Sequence, residues 1–131
     1  MLRVESTLPG EVEVTIRETI GCCIQVHREL GPGLLESTFA RAVCLELHAA
    51  GISFEAEKHI PVTYRGHLLC HHRLDLVVAN QIVVEIKAVD RLAPVHQAQL
   101  LNYLRISGLR AGLLINFNVP VLQEGIRRIV L

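Results

Sequence analysis

Three charged residues in an otherwise apolar part of the chain have the types and spacing that metal-dependent chemistry requires. Asp75 lies in one stretch rich in β-branched residues, and Glu85 and Lys87 lie in the next such stretch. Charged side chains are costly inside a β-sheet unless they are paired or bound to a metal ion. Carboxylate oxygens suit Mg²⁺ or Mn²⁺, which bind through a few carboxylates and keep water molecules for a substrate. We therefore predict that Asp75 and Glu85 hold a divalent cation.

The two stretches are predicted to form a β-hairpin centred on Asn80. In that register each residue pairs with the one equidistant from the centre, so that Asp75 faces Glu85. By the same rule, Arg73 faces Lys87. Like charges that face each other destabilise a sheet, and a bound cation would account for two facing carboxylates. A slip of one residue in the register would remove this arrangement.

Such a cation would support the hydrolysis of phosphodiesters. A metal ion polarises a phosphoryl oxygen and lowers the pKa of a coordinated water molecule. Lys87 is two residues beyond Glu85 and therefore on the same face of the strand. From there its ammonium group could orient the attacking water, help to deprotonate it or neutralise charge on phosphorus. The alternative is a set of cross-strand salt bridges on a solvated face, and the apolar neighbours of these residues count against it.

Residues on two predicted helices could complete the pocket. Gln99 and Tyr103 are four residues apart, so they share one face of a helix. A polar pair on a helix surface is the alternative interpretation. Glu36 follows Gly31-Pro32-Gly33 at the start of another helix. Taken alone, its carboxylate is better explained as a favourable charge near the helix N-terminus.

The elements that position these residues follow from apolar periodicity and from turn residues. The order is α-α-β-β-β-β-α-β, which predicts the α/β class with a mixed central sheet flanked by helices. Residues 1–12 are predicted to be a flexible lead-in, and residues 13–131 a single domain. The predicted helices cover residues 14–30, 35–50 and 96–107, and the predicted strands cover residues 54–62, 63–69, 74–79, 82–88 and 111–117, with a short final strand at 126–130.

Composition narrows the classes of function. A chain of 131 residues suits one domain with one core. Thirteen basic residues balance 13 acidic ones, which counts mildly against extended binding of nucleic acid but not against an enzyme that touches a few phosphates. Aromatic residues are only 4% of the chain, too few for a stacking platform along a single strand. The sequence predicts neither a signal peptide nor a membrane span. Its cysteines are expected to be free thiols. The expected location is therefore cytoplasmic.

Two other features of the sequence contain histidine, and each has a functional and a structural interpretation. His67, Cys70, His71 and His72 form a cluster that could suggest zinc. Zinc sites usually take ligand pairs at a spacing compatible with a turn, whereas neighbouring strand residues point to opposite faces, so polar residues near a strand end explain the cluster better. His27 is read as a satisfied residue near the C-terminus of the first helix.

The ordered motifs resemble a known family. Asp75, Glu85-Ile86-Lys87 and Gln99-Leu100-Leu101-Asn102-Tyr103 are similar to the PD-(D/E)xK nuclease superfamily with a Q-x-x-x-Y addition. More narrowly, the chain resembles the GxxExxY proteins of bacteria and archaea. The further stretches that carry this narrower resemblance are residues 27–36, 73–76, 84–89, 94–104 and 112–117, within a similarity spanning about residues 16 to 131.

The resemblance implies a restriction-endonuclease-like core of the order αβββαβ and a nuclease dependent on Mg²⁺ or Mn²⁺. It adds Glu36 to the metal ligands and to the catalytic group. The implied catalytic residues are Lys87, Glu85, Asp75, Gln99 and Glu36, the implied metal ligands are Asp75, Glu85 and Glu36, and the residues assigned to substrate binding are Tyr103, Arg73 and Gln97.

The sequence departs from the family pattern at two positions. Phe39 stands where the final Tyr of GxxExxY is expected, so any role of that hydroxyl is absent, and His72 stands where Tyr is common. Nucleic acid is the implied partner, with DNA favoured, and a small aliphatic chain could also bury a face in a homodimer. A nuclease-like fold that binds nucleic acid or protein without cleaving is the alternative, since a fold alone does not establish an activity.

Overall fold

A computed structural model describes residues 7–131, and within them the helices and strands follow the predicted order closely. The α-helices are α1 (Gly10–Leu30), α2 (Glu36–Ala49) and α3 (Pro94–Ser107). The strands are β1 (Phe54–Tyr64), β2 (His67–Val78), β3 (Ile82–Lys87), β4 (Ala111–Asn116) and β5 (Ile126–Val130), and a short 3-10 helix covers Leu122–Gly125. The segment from α2 to β4 has the predicted αβββαβ order.

The five strands form one mixed sheet in the order β1-β2-β3-β4-β5. Neighbouring strands are antiparallel except β3 and β4, which are parallel and are connected through α3. A parallel pair needs a crossover connection, and α3 supplies it. The predicted α/β class with a mixed sheet is therefore confirmed.

Helices cover both faces of the sheet. On one face, α1 and α2 pack against alternate residues of the central strands, with Phe39, Val43 and Leu47 of α2 fully buried. On the other face, α3 inserts Leu100 and Leu104 into a second cluster. With helices on both faces, β3 and β4 read as nearly continuous apolar runs, as the sequence shows. Any charge placed on these strands is consequently close to the core.

Turn residues end the helices where the sequence predicts. Gly31, with a φ of 68°, follows α1, and its N–H donates to the carbonyl of His27 at 2.8 Å. Gly108 follows α3 in the left-handed conformation, with a φ of 76°. A glycine adopts this conformation without the steric strain of a Cβ. None of the helices within residues 7–131 is long and apolar enough to cross a membrane.

Two of the predicted boundaries differ from the structure. Residues 67–69 of one predicted strand and residues 74–78 of the next belong to the single strand β2, whereas residues 63 and 64 end β1, so three strands precede α3 rather than four. Residues 70–73, which lie between the two predicted strands, have no buried face, so the sequence shows no strand pattern there. Their backbone is nevertheless paired with β1 throughout. At the N-terminus, residues 10–12 of the predicted lead-in lie in α1, and residues 1–6 lie outside the described part of the chain.

Candidate active site

Asp75 and Glu85 face each other at the point where the β2–β3 ladder ends. The paired residues are Leu76 with Val84 and the two pairs that follow toward the turn, and all three pairs are centred on Asn80. The predicted register is therefore confirmed. The ladder does not continue to Arg73 and Lys87, so the predicted pairing of these two residues is wrong. Arg73 pairs with His59 of β1, and Lys87 pairs with Asn116 of β4.

Side chains replace the backbone bonds at the end of this ladder. The N–H of Asp75 donates to Oε1 of Glu85 at 3.2 Å, and the N–H of Ile86 donates to Oδ2 of Asp75 at 2.8 Å. Each carboxylate therefore satisfies a backbone donor of the strand opposite, and a buried donor without a partner would be costly. This reciprocal arrangement fixes both carboxylates and leaves one further oxygen on each for a proton or a cation.

A local irregularity in β1 and β2 orients Asp75. Glu57 has a φ of 54° although it is not a glycine, a conformation that costs about 1–2 kcal/mol. The β1–β2 register continues on both sides but skips the pair formed by Glu57 and Asp75. As a result, Leu74 packs in the cluster under α3, whereas Leu76 packs in the cluster under α1 and α2. The strand thus changes the face it buries at the carboxylate itself.

Burial and a neighbouring carboxylate both disfavour the ionised form of Glu85. Only 7% of Glu85 is exposed, and burial, followed by the nearby charge of Asp75, raises the pKa of Glu85 to about 8. The backbone N–H of Asp75 and the positive charge of Lys87 oppose this rise. Burial, and then the charges of Glu85 and Asp75, also raise the pKa of the Tyr103 phenol. Lys87 and Tyr103 therefore lie within the field of the carboxylate pair.

Lys87 is anchored through its backbone at the end of β3. Its carbonyl accepts a hydrogen bond from the N–H of Phe117 at 2.9 Å. The buried side chain of Asn116 then grips Val89: Oδ1 accepts from the Val89 N–H at 3.0 Å, and Nδ2 donates to the Val89 carbonyl at 2.9 Å. The direction of the chain beyond Lys87 is consequently fixed by the neighbouring strand β4.

A groove of about 1130 Å³ opens beside Asp75 on the α2 side of the sheet. Glu36 and Arg73 also line this groove. Oε1 of Glu36 accepts a long hydrogen bond of 3.4 Å from the N–H of Ala88, next to Lys87. Arg73 pairs with Glu57 at 3.4 Å, with both side chains more than half exposed. An ion pair so exposed adds little stability, so Arg73 can exchange partners.

The three predicted residues of α3 do not all face the carboxylates. Tyr103 is half-buried and its ring centroid lies 5.5 Å from that of His72. Gln99 is exposed, one helical turn before Tyr103 on the same side of α3. Gln97 is exposed as well, but two residues along a helix correspond to a rotation of about 160° from Gln99. The helix therefore groups Gln99 with Tyr103 and places Gln97 on another side.

No set of three or more His, Cys, Asp or Glu side chains within residues 7–131 is arranged to hold a metal ion. The carboxylate pair thus offers two ligands, and Glu36 stands apart on the groove wall. The residues of the cluster, His67, Cys70, His71 and His72, all lie on β2 and are exposed. His27 is buried and its Nε2 lies 2.8 Å from the carbonyl of Val119, which agrees with a satisfied residue near a helix end.

Sequence reasoning overlooked two residues that shape the site. Glu57 binds Arg73 and carries the strained backbone opposite Asp75, and nothing in the sequence distinguishes it from any exposed glutamate. Asn116 had a usable signal, because it is a polar residue at the end of an apolar strand. Such a side chain, once buried, must find hydrogen-bond partners, and here the partner is the loop after Lys87.

The comparison with protein families gives one match. A family profile described as the PD-(D/E)XK nuclease superfamily matches residues 13–129, which include every predicted site residue. Together with the mixed sheet, the match confirms the predicted restriction-endonuclease-like fold class. The narrower GxxExxY resemblance is not named by the match and stays a prediction. No curated protein and no solved structure matches the chain.

Proposed function

The chain belongs to the PD-(D/E)XK nuclease superfamily, and on that premise we propose that it hydrolyses phosphodiester bonds of nucleic acid with the help of Mg²⁺ or Mn²⁺. The observation that carries the proposal is the reciprocal arrangement of Asp75 and Glu85 at the end of the β2–β3 ladder. Lys87 lies close enough for its charge to act on Glu85. Two carboxylates that hold a cation, with a lysine beside them, suit the stabilisation of a charged phosphoryl group.

The donor set fits a hard divalent cation. Two carboxylates that repel each other when both are ionised gain by sharing a cation, and the buried position of Glu85 makes this gain large. Mg²⁺ commonly binds through one or two carboxylates and otherwise keeps its waters, so two protein ligands are sufficient. When bound, such a cation polarises a phosphoryl oxygen and acidifies water. Asp75 and Glu85 are the residues that would hold it.

Each remaining residue receives a role from its position. Lys87 stands beside the pair and offsets negative charge that develops on the phosphoryl group. Gln99, which is exposed, and Tyr103, which is half-buried, present donors from one side of α3, where they orient the nucleic acid. On the opposite side, Glu36 and Arg73 line the groove. From there Arg73 binds a phosphate of the strand, and Glu36 assists through water.

A second candidate function is binding without cleavage. One observation favours it: no third ligand joins the two carboxylates within the described residues. In that case the carboxylate pair would serve the fold through its backbone hydrogen bonds. The two functions differ in one outcome. A nuclease cleaves nucleic acid when Mg²⁺ or Mn²⁺ is present, whereas a binding module leaves the nucleic acid intact.

The test is cleavage of labelled single-stranded and double-stranded DNA and RNA in the presence of Mg²⁺ or Mn²⁺. Wild type is compared with Glu85→Gln and Lys87→Met, which remove one ligand and one charge at nearly constant volume. We expect each variant to lose at least about 100-fold in cleavage rate, as expected when a group that stabilises transition-state charge is removed. Glu46→Gln is the matched control, since Glu46 is a half-buried carboxylate of α2 outside the site.

The outcomes separate the two functions. Cleavage by wild type and by Glu46→Gln, together with loss in the other two variants, supports the nuclease. Equal cleavage by all four proteins would show that the activity does not come from this site. Tight binding of nucleic acid with no cleavage by wild type in either metal ion would favour the binding module instead.

A further inference from the structure

The positive charge of the chain is unevenly distributed along the sequence. The whole chain carries 13 basic and 13 acidic residues, yet residues 58–74 contain no Asp or Glu. That segment holds three of the basic residues and four of the seven histidines. The basic residues are Lys58, Arg65 and Arg73, and the histidines are His59, His67, His71 and His72.

This segment forms a projecting β-ribbon, which we call the arm and define as residues 61–73. The last buried residues before and after it are Ile60 and Leu74, with 6% and 0% exposed. Within the arm, β1 and β2 pair with each other, while β2 pairs with β3 only from Leu76 onward. At 3.3 Å per residue, the arm extends roughly 13 Å beyond Ile60 before it turns.

Within residues 7–131, the arginine of the arm that has no ion pair is Arg65, at the tip. Lys58, just before the arm, pairs with Glu55, and Arg73 at its base pairs with Glu57. Arg65 lies in the turn and has no side-chain hydrogen bond or ion pair within residues 7–131. The exposed histidine rings on the strands add further hydrogen-bond donors. A surface of this kind is complementary to a polyanion.

From the charge and shape of the arm we infer that it inserts into the major groove of duplex DNA. The major groove of B-DNA is about 12 Å wide and 8.5 Å deep and admits a two-stranded β-ribbon. The arm is longer than that depth. The major groove of A-form RNA is deep and narrow and excludes such an element. Tyr64 and Leu69, which are 65% and 62% exposed, supply apolar contacts of the kind made with thymine methyl groups.

The arm and Asp75 share strand β2. The role of the arm in presenting DNA to the candidate active site therefore rests on the proposed function. Asp75 lies on β2, nine residues beyond Gly66 at the tip, an interval of at most about 30 Å along an extended strand. A duplex whose major groove receives the tip therefore lies within about 30 Å of the carboxylate pair.

Binding is measured separately from cleavage, with full-length Glu85→Gln protein in EDTA and labelled 30-base-pair DNA. Fluorescence anisotropy compares this parent with the same protein carrying Arg65→Ala, His67→Ala and His71→Ala. We expect the arm substitutions to weaken binding of duplex DNA at least tenfold and to reduce the salt dependence of binding, because phosphate contacts are lost. The parent should bind duplex RNA and single-stranded DNA at least tenfold more weakly than duplex DNA.

Arg110→Ala is the matched control, because Arg110 is also exposed but lies at the start of β4, at the other end of the sheet from Lys87. All substituted arm residues are exposed, and unchanged thermal midpoints verify that the variants fold. Unchanged DNA affinity in the arm variant, or a loss no greater than that of Arg110→Ala, would overturn the inference. Equal affinity of the parent for all three nucleic acids would overturn the groove assignment.

The result also distinguishes the arm from the nuclease. Arm-dependent binding of duplex DNA by a wild type that cuts nothing would support the arm and refute catalysis. Cleavage by wild type, together with arm variants that bind duplex DNA normally, would support catalysis and refute the role of the arm. Sedimentation of the same proteins tests the competing occupant, a second copy of the chain: dimers that dissociate in the arm variant, with DNA affinity unchanged, would assign the arm to self-association.

Discussion

Replacing Glu85 with Gln should stabilise the metal-free protein in alkaline solution. Gln has nearly the shape of a protonated Glu, so the substituted amide can accept from the N–H of Asp75 as the carboxylate of Glu85 does. It has no charge to bury at any pH. The substitution therefore isolates the free energy of ionising Glu85 in its buried position beside Asp75.

The sign follows from proton uptake. The pKa of Glu85 is raised from 4.5 to about 8 in the folded protein, so between these values the native state holds a proton that the unfolded state has lost. Stability then falls as the pH rises. The loss begins above pH 4.5, is complete above about pH 8, and reaches on the order of 5 kcal/mol at 1.36 kcal/mol per pH unit. Glu85→Gln avoids this loss.

The assay is urea unfolding in EDTA at pH 5, 7 and 9, with Glu46→Gln as the control. Wild type and Glu85→Gln should have similar free energies of unfolding at pH 5, and the variant should exceed wild type by several kcal/mol at pH 9. Mn²⁺ in place of EDTA should restore stability to wild type more than to the variant, because a ligand that binds the native state stabilises it. Parallel pH profiles of the two proteins, or a variant less stable at pH 9, would refute the reasoning.

Three further substitutions test the packing around the site by urea unfolding. Gly125→Ala places a Cβ 2.2 Å from the backbone oxygen of Asn116, and we expect a loss of about 3 kcal/mol; a loss below about 1 kcal/mol would contradict this contact. Gly21→Ala meets nothing within 4 Å on α1, so it should stabilise the protein by about 0.5–1 kcal/mol. Phe39→Ala removes a fully buried ring stacked 4.6 Å from Phe117 and should cost about 4 kcal/mol, whereas an unchanged urea midpoint would mean that the stack does not hold α2 to the sheet.

The features predicted well from sequence are those set by local patterns. Turn glycines and apolar periodicity located all three helices, and α3 began two residues earlier than expected, at Pro94. The register of the β2–β3 hairpin followed from equal spacing about Asn80. Because side chains alternate along a strand, that register brought Asp75 to Glu85 without any knowledge of the fold. The two carboxylates at the centre of the site could thus be predicted from the hairpin spacing and the alternation of side chains alone.

The features that sequence missed depend on contacts between distant segments. The arm has no buried face of its own, so its polar residues gave no strand periodicity, and β2 was divided in two. The change of face at Asp75 needs the positive φ of Glu57 on the neighbouring strand. Glutamate does not favour a positive φ, so this irregularity is visible only in the pairing of β1 with β2. Gln97 was assigned to substrate binding together with Tyr103, although the helix turns Gln97 away from the side that carries Gln99 and Tyr103.

The energetics of β3 give an argument for function that is independent of the family match. Five of its six residues are buried, and Glu85 is the one carboxylate among them. Gln would satisfy the same backbone donor and would avoid the loss of stability at neutral and higher pH that the raised pKa implies. The fold is therefore better served by Gln than by Glu at this position. A buried carboxylate placed against a second carboxylate and beside a lysine supports the proposal that a divalent cation binds here.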